Sequence, residues 1–261
     1  MTWLQPVLSL AEGVGHPTEL FLQTLRRLPA TFGRRRWIAE QLYAGAVQGI
    51  HVVLLVGLFI GMIVSLQTGI ELSRIGQQDQ IGVVVAVTLA REMGPFITAT
   101  ILAATVGSSM AAELGTMAVS DELAALEVMS IDKVRFLVLP RVIALAIAAP
   151  LLTILCDAIG IFGGGFVAQS QLNVTFELYL DSAIDALRAP AKTLPFPKDV
   201  YSGLFKSLVF GLLIASIGCS SGLRATGGAL GVGHATRQAV RDSIIAIIVA
   251  NYFMTWIIYQ A

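Results

Sequence analysis

Charge is scarce in this chain. Asp, Glu, Lys and Arg make up only 13% of its 261 residues, about half the share of an ordinary soluble domain. Hydrophobic residues make up 56%, and the mean hydropathy of +0.78 argues against a soluble fold. The 17 basic residues balance the 17 acidic ones, so net charge points neither to nucleic acid nor to a strongly acidic partner. Cysteine is nearly absent: Cys156 and Cys219 stand singly in apolar runs, without CxxC or Cys/His spacing, and read as buried thiols rather than a metal site or disulfide framework. The phosphate loop GxxxxGK[ST], the zinc motif HExxH and the nucleophile elbow GxSxG are all missing. No cofactor is therefore expected, and any energy must come from another chain. The glycine-rich "ATGGALGVGHATR" follows no strand pattern and reads as a loop. The first 20 residues lack the basic start, apolar core and cleavage site of a signal peptide, so the membrane spans themselves should do the targeting.

Long apolar runs are what the chain has in abundance. A bilayer core of about 30 Å needs roughly 20 apolar helical residues. Runs of that order lie near Ala44–Gly69, Ile81–Met117, Phe136–Val167, Gly203–Gly222 and Ser243–Tyr259. The expected fold is an all-α integral membrane protein with about five transmembrane helices. Residues 1–43 would form an N-terminal interfacial region and 44–261 the membrane domain, with a short helix at about 118–132 and an outer loop at about 170–200. Arg26, Arg27, Arg34, Arg35 and Arg36 precede the first span; Lys133, Arg135 and Arg141 follow the second; Arg224, Arg237 and Arg241 lie between the last two. The positive-inside rule places these in the cytoplasm. The opposite side holds the smaller set Arg74, Arg188, Lys192, Lys198 and Lys206.

"PTELFLQTLRRLPATFGRRRW" mixes Leu20, Phe21, Leu25 and Leu28 with basic residues, as an interfacial helix or a basic flank would. "LRAPAKTLPFPKD" reads as an irregular loop. Glycine pairs four residues apart, Gly45/Gly49, Gly57/Gly61, Gly160/Gly164 and Gly218/Gly222, suit close helix packing in lipid.

Polar groups inside apolar runs are expensive, at about 3 kcal/mol per charge on insertion scales. The second run contains Arg91, Glu92 and Glu113. Arg91 and Glu92 are adjacent, so they do not face one another on a helix and each needs a partner elsewhere. Gly94 and Pro95 follow immediately, which predicts a kink or break beside these charges. Asp157 is a second candidate polar site. His51 reads as a satisfied histidine within the bundle.

"SDELAALEVMSID" fits none of the spans. Ser120 suits a helix cap, with Asp121 and Glu122 in the first turn. Leu123, Leu126 and Met129 then form an apolar stripe. At about three turns the helix cannot cross a bilayer, and its acidic face suits a groove in a soluble partner better than anionic lipid.

"LAREMGP", "AAELGTM", "DELAALEVMSID" and "LVLPR", in this order, resemble the MlaE permeases, the membrane subunits of bacterial ABC-type phospholipid transporters that work with lipid-binding MCE proteins. The resemblance runs from about residue 40 onward. It implies that the short helix is a coupling helix docked on an ATPase, with Glu122, Leu123, Leu126 and Met129 in contact and Asp132 and Arg141 shaping the turn into the third span. It also implies an inner-membrane homodimer with a cytoplasmic N-terminus. Beneath it would sit an ABC ATPase dimer, which a small regulatory subunit can accompany, and above it a periplasmic MCE hexamer. The expected lipid-binding or gating residues are Arg91 and Glu92, at the headgroup, and Leu66 and Ile70, on an apolar face that holds acyl chains. Two departures stand out. Ser130 and Lys133 replace a helix-ending Gly and a Pro, so the coupling helix should end less sharply. Thr105 and Val106 stand where a basic residue is usual, which leaves Glu92 without one partner. The rival readings are an ion-coupled secondary carrier using Asp157 or Glu92, a structural anchor for an MCE complex, and an intramembrane enzyme, which has no nucleophile here.

Overall fold

The computed structural model describes residues 5–27, 35–189 and 197–260. The fold is all-α. Helix α1 (Gln5–Arg26) precedes α2 (Arg35–Arg74). A second long path comprises α3 (Ile81–Thr88), α4 (Gly94–Leu102) and α5 (Ser108–Val119), joined by π turns at Leu89–Met93 and Ala103–Gly107. The short α6 (Glu122–Val128) comes next, and a third π turn, Val134–Val138, opens α7 (Leu139–Gln171). The described helices end with α8 (Phe176–Arg188), α9 (Lys198–Leu223) and α10 (Gly228–Gln260). Among the described residues, five paths are long and apolar enough to cross a membrane: Arg36–Arg74, Gln78–Val119, Val134–Gln171, Lys198–Leu223 and Gly228–Tyr259. Their number matches the sequence expectation, and the chain is a multi-pass membrane protein.

Several boundaries differ. The glycine-rich stretch is not a loop beyond Gly227. Gly227 and Gly228 turn the chain at φ +85° and +68°, conformations open to glycine at little cost, and α10 starts there, fifteen residues before Ser243. Arg237 and Arg241 therefore lie on a helix. Lys198 and Asp199 belong to the first turn of α9 rather than to the proline-rich loop, whose residues 190–196 lie outside the described residues. Of the proposed interfacial stretch, Leu20 and Phe21 are half-buried on α1, which extends back to Gln5; residues 28–34 are outside the described set.

The expected break at Pro95 takes the form of a π turn. In a straight α-helix the proline ring would collide with the carbonyl of Arg91. Widening the preceding turn, so that the Gly94 N–H reaches back to the Leu89 carbonyl, accommodates the ring without interrupting the helix.

The long helices contribute to two compact units. One comprises the described residues of Met1–Gln48, Leu102–Ala148 and Val209–Ala250. In it Gly218 lies against the Gly107 carbonyl and Gly222 against Ala111 and Leu114, so α9 approaches the second path at backbone contact. The other comprises Gly49–Ile101, Ala149–Leu208 and the described residues of Asn251–Ala261. Its apolar core gathers Ile81, Val85 and Leu89 with Ala168, Leu172, Val174 and Tyr179. Gly61 meets Gly160 backbone to backbone, and Ser65 Oγ donates to the Gly164 carbonyl at 2.8 Å. Three of the four glycine pairs read from the sequence thus sit at close helix contacts. Thr175 caps α8 by accepting the Leu178 N–H, and the α8 residue Tyr179 is fully buried, which pushes its hydroxyl above the ordinary tyrosine range.

Candidate functional site

In the second unit, Arg91 and Glu92 both sit on the π turn Leu89–Met93, a local widening frequent at functional positions. Each has its own partners. Arg91 Nη2 lies 2.8 Å from Asp199 Oδ1 and its Nε donates to the same oxygen at 3.0 Å. Its guanidinium stacks 4.4 Å from the centre of the Tyr259 ring, a cation–π contact. Tyr259 Oη in turn donates to Asp199 Oδ1 at 3.0 Å and lies 2.7 Å from Ser202 Oγ. Glu92 faces the other way. Lys206 Nζ meets Glu92 Oε1 at 2.6 Å, Thr255 Oγ1 donates to that oxygen at 2.9 Å, and Asn251 Nδ2 donates to Oε2 at 3.1 Å.

Lys206 is fully enclosed, and its three donors are matched by Glu92, Thr255 Oγ1 at 2.8 Å and the Arg91 carbonyl at 3.2 Å. Such a buried cation is tolerated only when paired and hydrogen-bonded. Arg91 differs: its side chain is 38% exposed against 18% for Asp199. Lys206 is thus a sealed anchor for Glu92, whose own side chain keeps 29% exposure, and Arg91 is the most open charge of the cluster. Gly203 makes the arrangement possible, because its Cα lies on the Ala90 carbonyl where a Cβ has no room.

The expectation that Arg91 and Glu92 find separate partners matches this geometry. The expectation that Glu92 lacks one does not: Lys206, read from the sequence as a flanking charge, fills that place from α9. Asp199, Lys206, Asn251, Thr255 and Tyr259 were missed. The signal was present, since Asp199, Ser202 and Lys206 recur at three and four residues on α9, and Asn251, Thr255 and Tyr259 at four-residue steps on α10. Each triple lines one helix face.

Asp157 shares no hydrogen bond with this cluster: its Oδ1 packs against Gly94 and has no hydrogen-bond partner among the described residues. His51 is exposed on α2, not enclosed in the bundle. Leu66 and Ile70 are also exposed on α2, at 40% and 44%. In the first unit Glu113 pairs with the buried Arg141 at 2.9 Å.

The short helix belongs to the first unit. Its N-cap is Asp121 at φ +61°, not Ser120, whose hydroxyl instead donates to Glu122 Oε1 at 3.1 Å. Its end is sharp, contrary to expectation. Ser130 takes φ +56°, its N–H reaches the Glu127 carbonyl and the Ile131 N–H reaches the Leu126 carbonyl, each at 2.9 Å. This is the paired closure of a Schellman motif, with serine in the left-handed position that favours glycine. The apolar stripe divides: Leu123 is buried, Leu126 is half-buried, and Val128 and Met129 are 86% and 60% exposed. Asp132 Oδ1 accepts the Val134 and Arg135 N–H groups, at 3.0 and 3.3 Å.

The chain is thus a helical membrane protein with ion pairs among its long apolar helices and a short helix between two candidate spans. Comparison with known proteins supplies the role. Residues 38–257 match the family model described as Permease MlaE, and the chain belongs to this family. A Synechocystis protein named "Probable ABC transporter permease protein" is 38% identical over 226 residues, covering 87% of this chain and 83% of the relative. A Porphyra purpurea protein of the same designation is 31% identical over 242 residues, covering 93% and 89%. The chloroplastic protein TRIGALACTOSYLDIACYLGLYCEROL 1 of Arabidopsis thaliana is 36% identical over 230 residues, which cover 87% of this chain and 63% of that protein. The chain is a transporter permease subunit, and its family implies an ATPase partner.

Proposed function

We propose that this permease moves phospholipid between the bacterial inner membrane and a periplasmic MCE hexamer. It would act as a homodimer with a cytoplasmic N-terminus, beneath which sits an ABC ATPase dimer, with or without a small regulatory subunit. The observation that carries the lipid reading is the half-open Arg91, held by one carboxylate and one aromatic face on a widened helical turn. A phosphodiester presents the same anionic oxygens as the Asp199 carboxylate, so a headgroup can exchange with Asp199 for the exposed guanidinium donors. Glu92 and Lys206 hold the turn in place during that exchange. Leu66 and Ile70 offer apolar surface for acyl chains. The lipid named in the Arabidopsis relative adds support for a lipid cargo.

In the first unit, α6 serves as the coupling helix. Leu123 roots it in the permease, while Leu126, Val128 and Met129 face the ATPase, with Glu122 on the rim. ATPase closure then pushes α6 and repacks the spans behind it.

The test is lipid transfer by the reconstituted complex. Arg91→Ala should cut transfer at least tenfold, on the order of an interaction worth 1.4 kcal/mol or more, while the complex still assembles. Unchanged transfer would remove the headgroup role.

A further inference from the structure

We propose that Arg27 and Asp132 form a positioning pair that makes α1 a second lever of the coupling helix, so that α1 moves with α6 when the ATPase closes. The inference rests on the docking reading of α6 and extends it to the N-terminal helix.

Asp132 occupies the turn between α6 and the third span, and both of its carboxylate oxygens are engaged. Oδ1 caps the first N–H groups of the π turn Val134–Val138. Oδ2 accepts from Arg27 Nε at 2.9 Å, in the turn one residue past the end of α1. One side chain thus joins the coupling turn, the start of a membrane span and the interfacial helix. A second contact ties the same turn to the chain's N-terminal part: the Trp37 ring, near the start of α2, lies 5.4 Å from the Phe136 ring within that π turn. Both ends of α6 are fixed by left-handed non-glycine residues, Asp121 and Ser130, conformations that persist only where the surroundings impose them. A helix so bounded transmits displacement into the turn rather than absorbing it, and Arg27, whose N–H is bonded to the Thr24 carbonyl of α1, carries the charge that ties that helix's end to the turn.

An isolated ion pair at the 33% and 39% exposure of these side chains contributes little to stability. Its value here is directional, since it resists separation of α1 from the turn.

The experiment uses the full complex in vesicles of phosphatidylethanolamine and phosphatidylglycerol and reads lipid transferred per ATP hydrolysed. Arg27→Gln should lower this ratio about fivefold or more, within the usual range of coupling between sites, while the ATPase still co-purifies. Asp132→Asn keeps an oxygen for the cap and loses the charge, so it should lower the ratio by the same factor. The double variant should be no worse than either single one, and Arg27→Lys should restore most of the ratio, which a misfolded protein would not allow. An unchanged ratio in Arg27→Gln, or a normal ratio in Asp132→Asn, overturns the proposal by reducing Asp132 to a cap. Additive losses in the double variant overturn it as well. Failure of the docking reading looks different: the ATPase then fails to co-purify even with the unaltered chain.

Discussion

Single side chains in this permease hold positions that a different residue type would fill more cheaply. Ser130 sits at φ +56°, where a non-glycine residue costs roughly 1 kcal/mol. Ser130→Gly should therefore raise the stability of the detergent-solubilised protein by about that amount, provided glycine's extra freedom in the unfolded chain does not offset it. A melting temperature below that of the unaltered protein would show that serine is not strained there. Lys206 poses the opposite case. Its ammonium is fully enclosed and bonded to Glu92, so Lys206→Met should strand the carboxylate and cost roughly 3 kcal/mol, while adding Glu92→Gln should recover much of the loss. Thermal unfolding of the single and double variants measures the difference.

At the scale of elements, the five membrane helices were legible because apolar runs of sufficient length have few alternative folds. Their ends were less so. The start of α10 was hidden by the four glycines from Gly227 to Gly233, a composition that suits loop and close-packed helix equally until the backbone angles are known. The polar cluster was half legible. Arg91 and Glu92 stood out against an apolar background, whereas Asp199, Lys206 and Tyr259 sit near helix ends, where charge and phenol are ordinary and only their shared face marks them. The division of the coupling stripe was not legible, because three-residue spacing cannot say which leucine is turned inward. Gly203 draws these elements together against the Ala90 carbonyl. Gly203→Ala should push α9 off the π turn, lengthen the Glu92–Lys206 pair and reduce transfer several-fold, on the scale of an overpacked contact of about 1–3 kcal/mol. Normal transfer would mean that the helices can separate without loss.

For the whole molecule, the decisive question is which membrane face carries α6 and which carries α8. Charge bias alone supports a cytoplasmic α6, since the arginines around Arg26 and Arg135 outnumber the basic residues near Arg74 and Arg188. With α6 so placed, the five spans found among the described residues would carry Tyr259 to the far side. On the function proposed above, the Arg91 cluster that Tyr259 closes would then lie on the side where a headgroup is exchanged with the MCE partner. Both native cysteines are buried, so single introduced cysteines can be read against a low background. Val128→Cys, 86% exposed on α6, should react with a membrane-impermeant maleimide only in inverted inner-membrane vesicles stripped of the ATPase. Asp185→Cys, exposed on α8, should react only in right-side-out spheroplasts. The reverse pattern would place the coupling helix away from any cytoplasmic ATPase, and the transport reading of both charged clusters would fail with it.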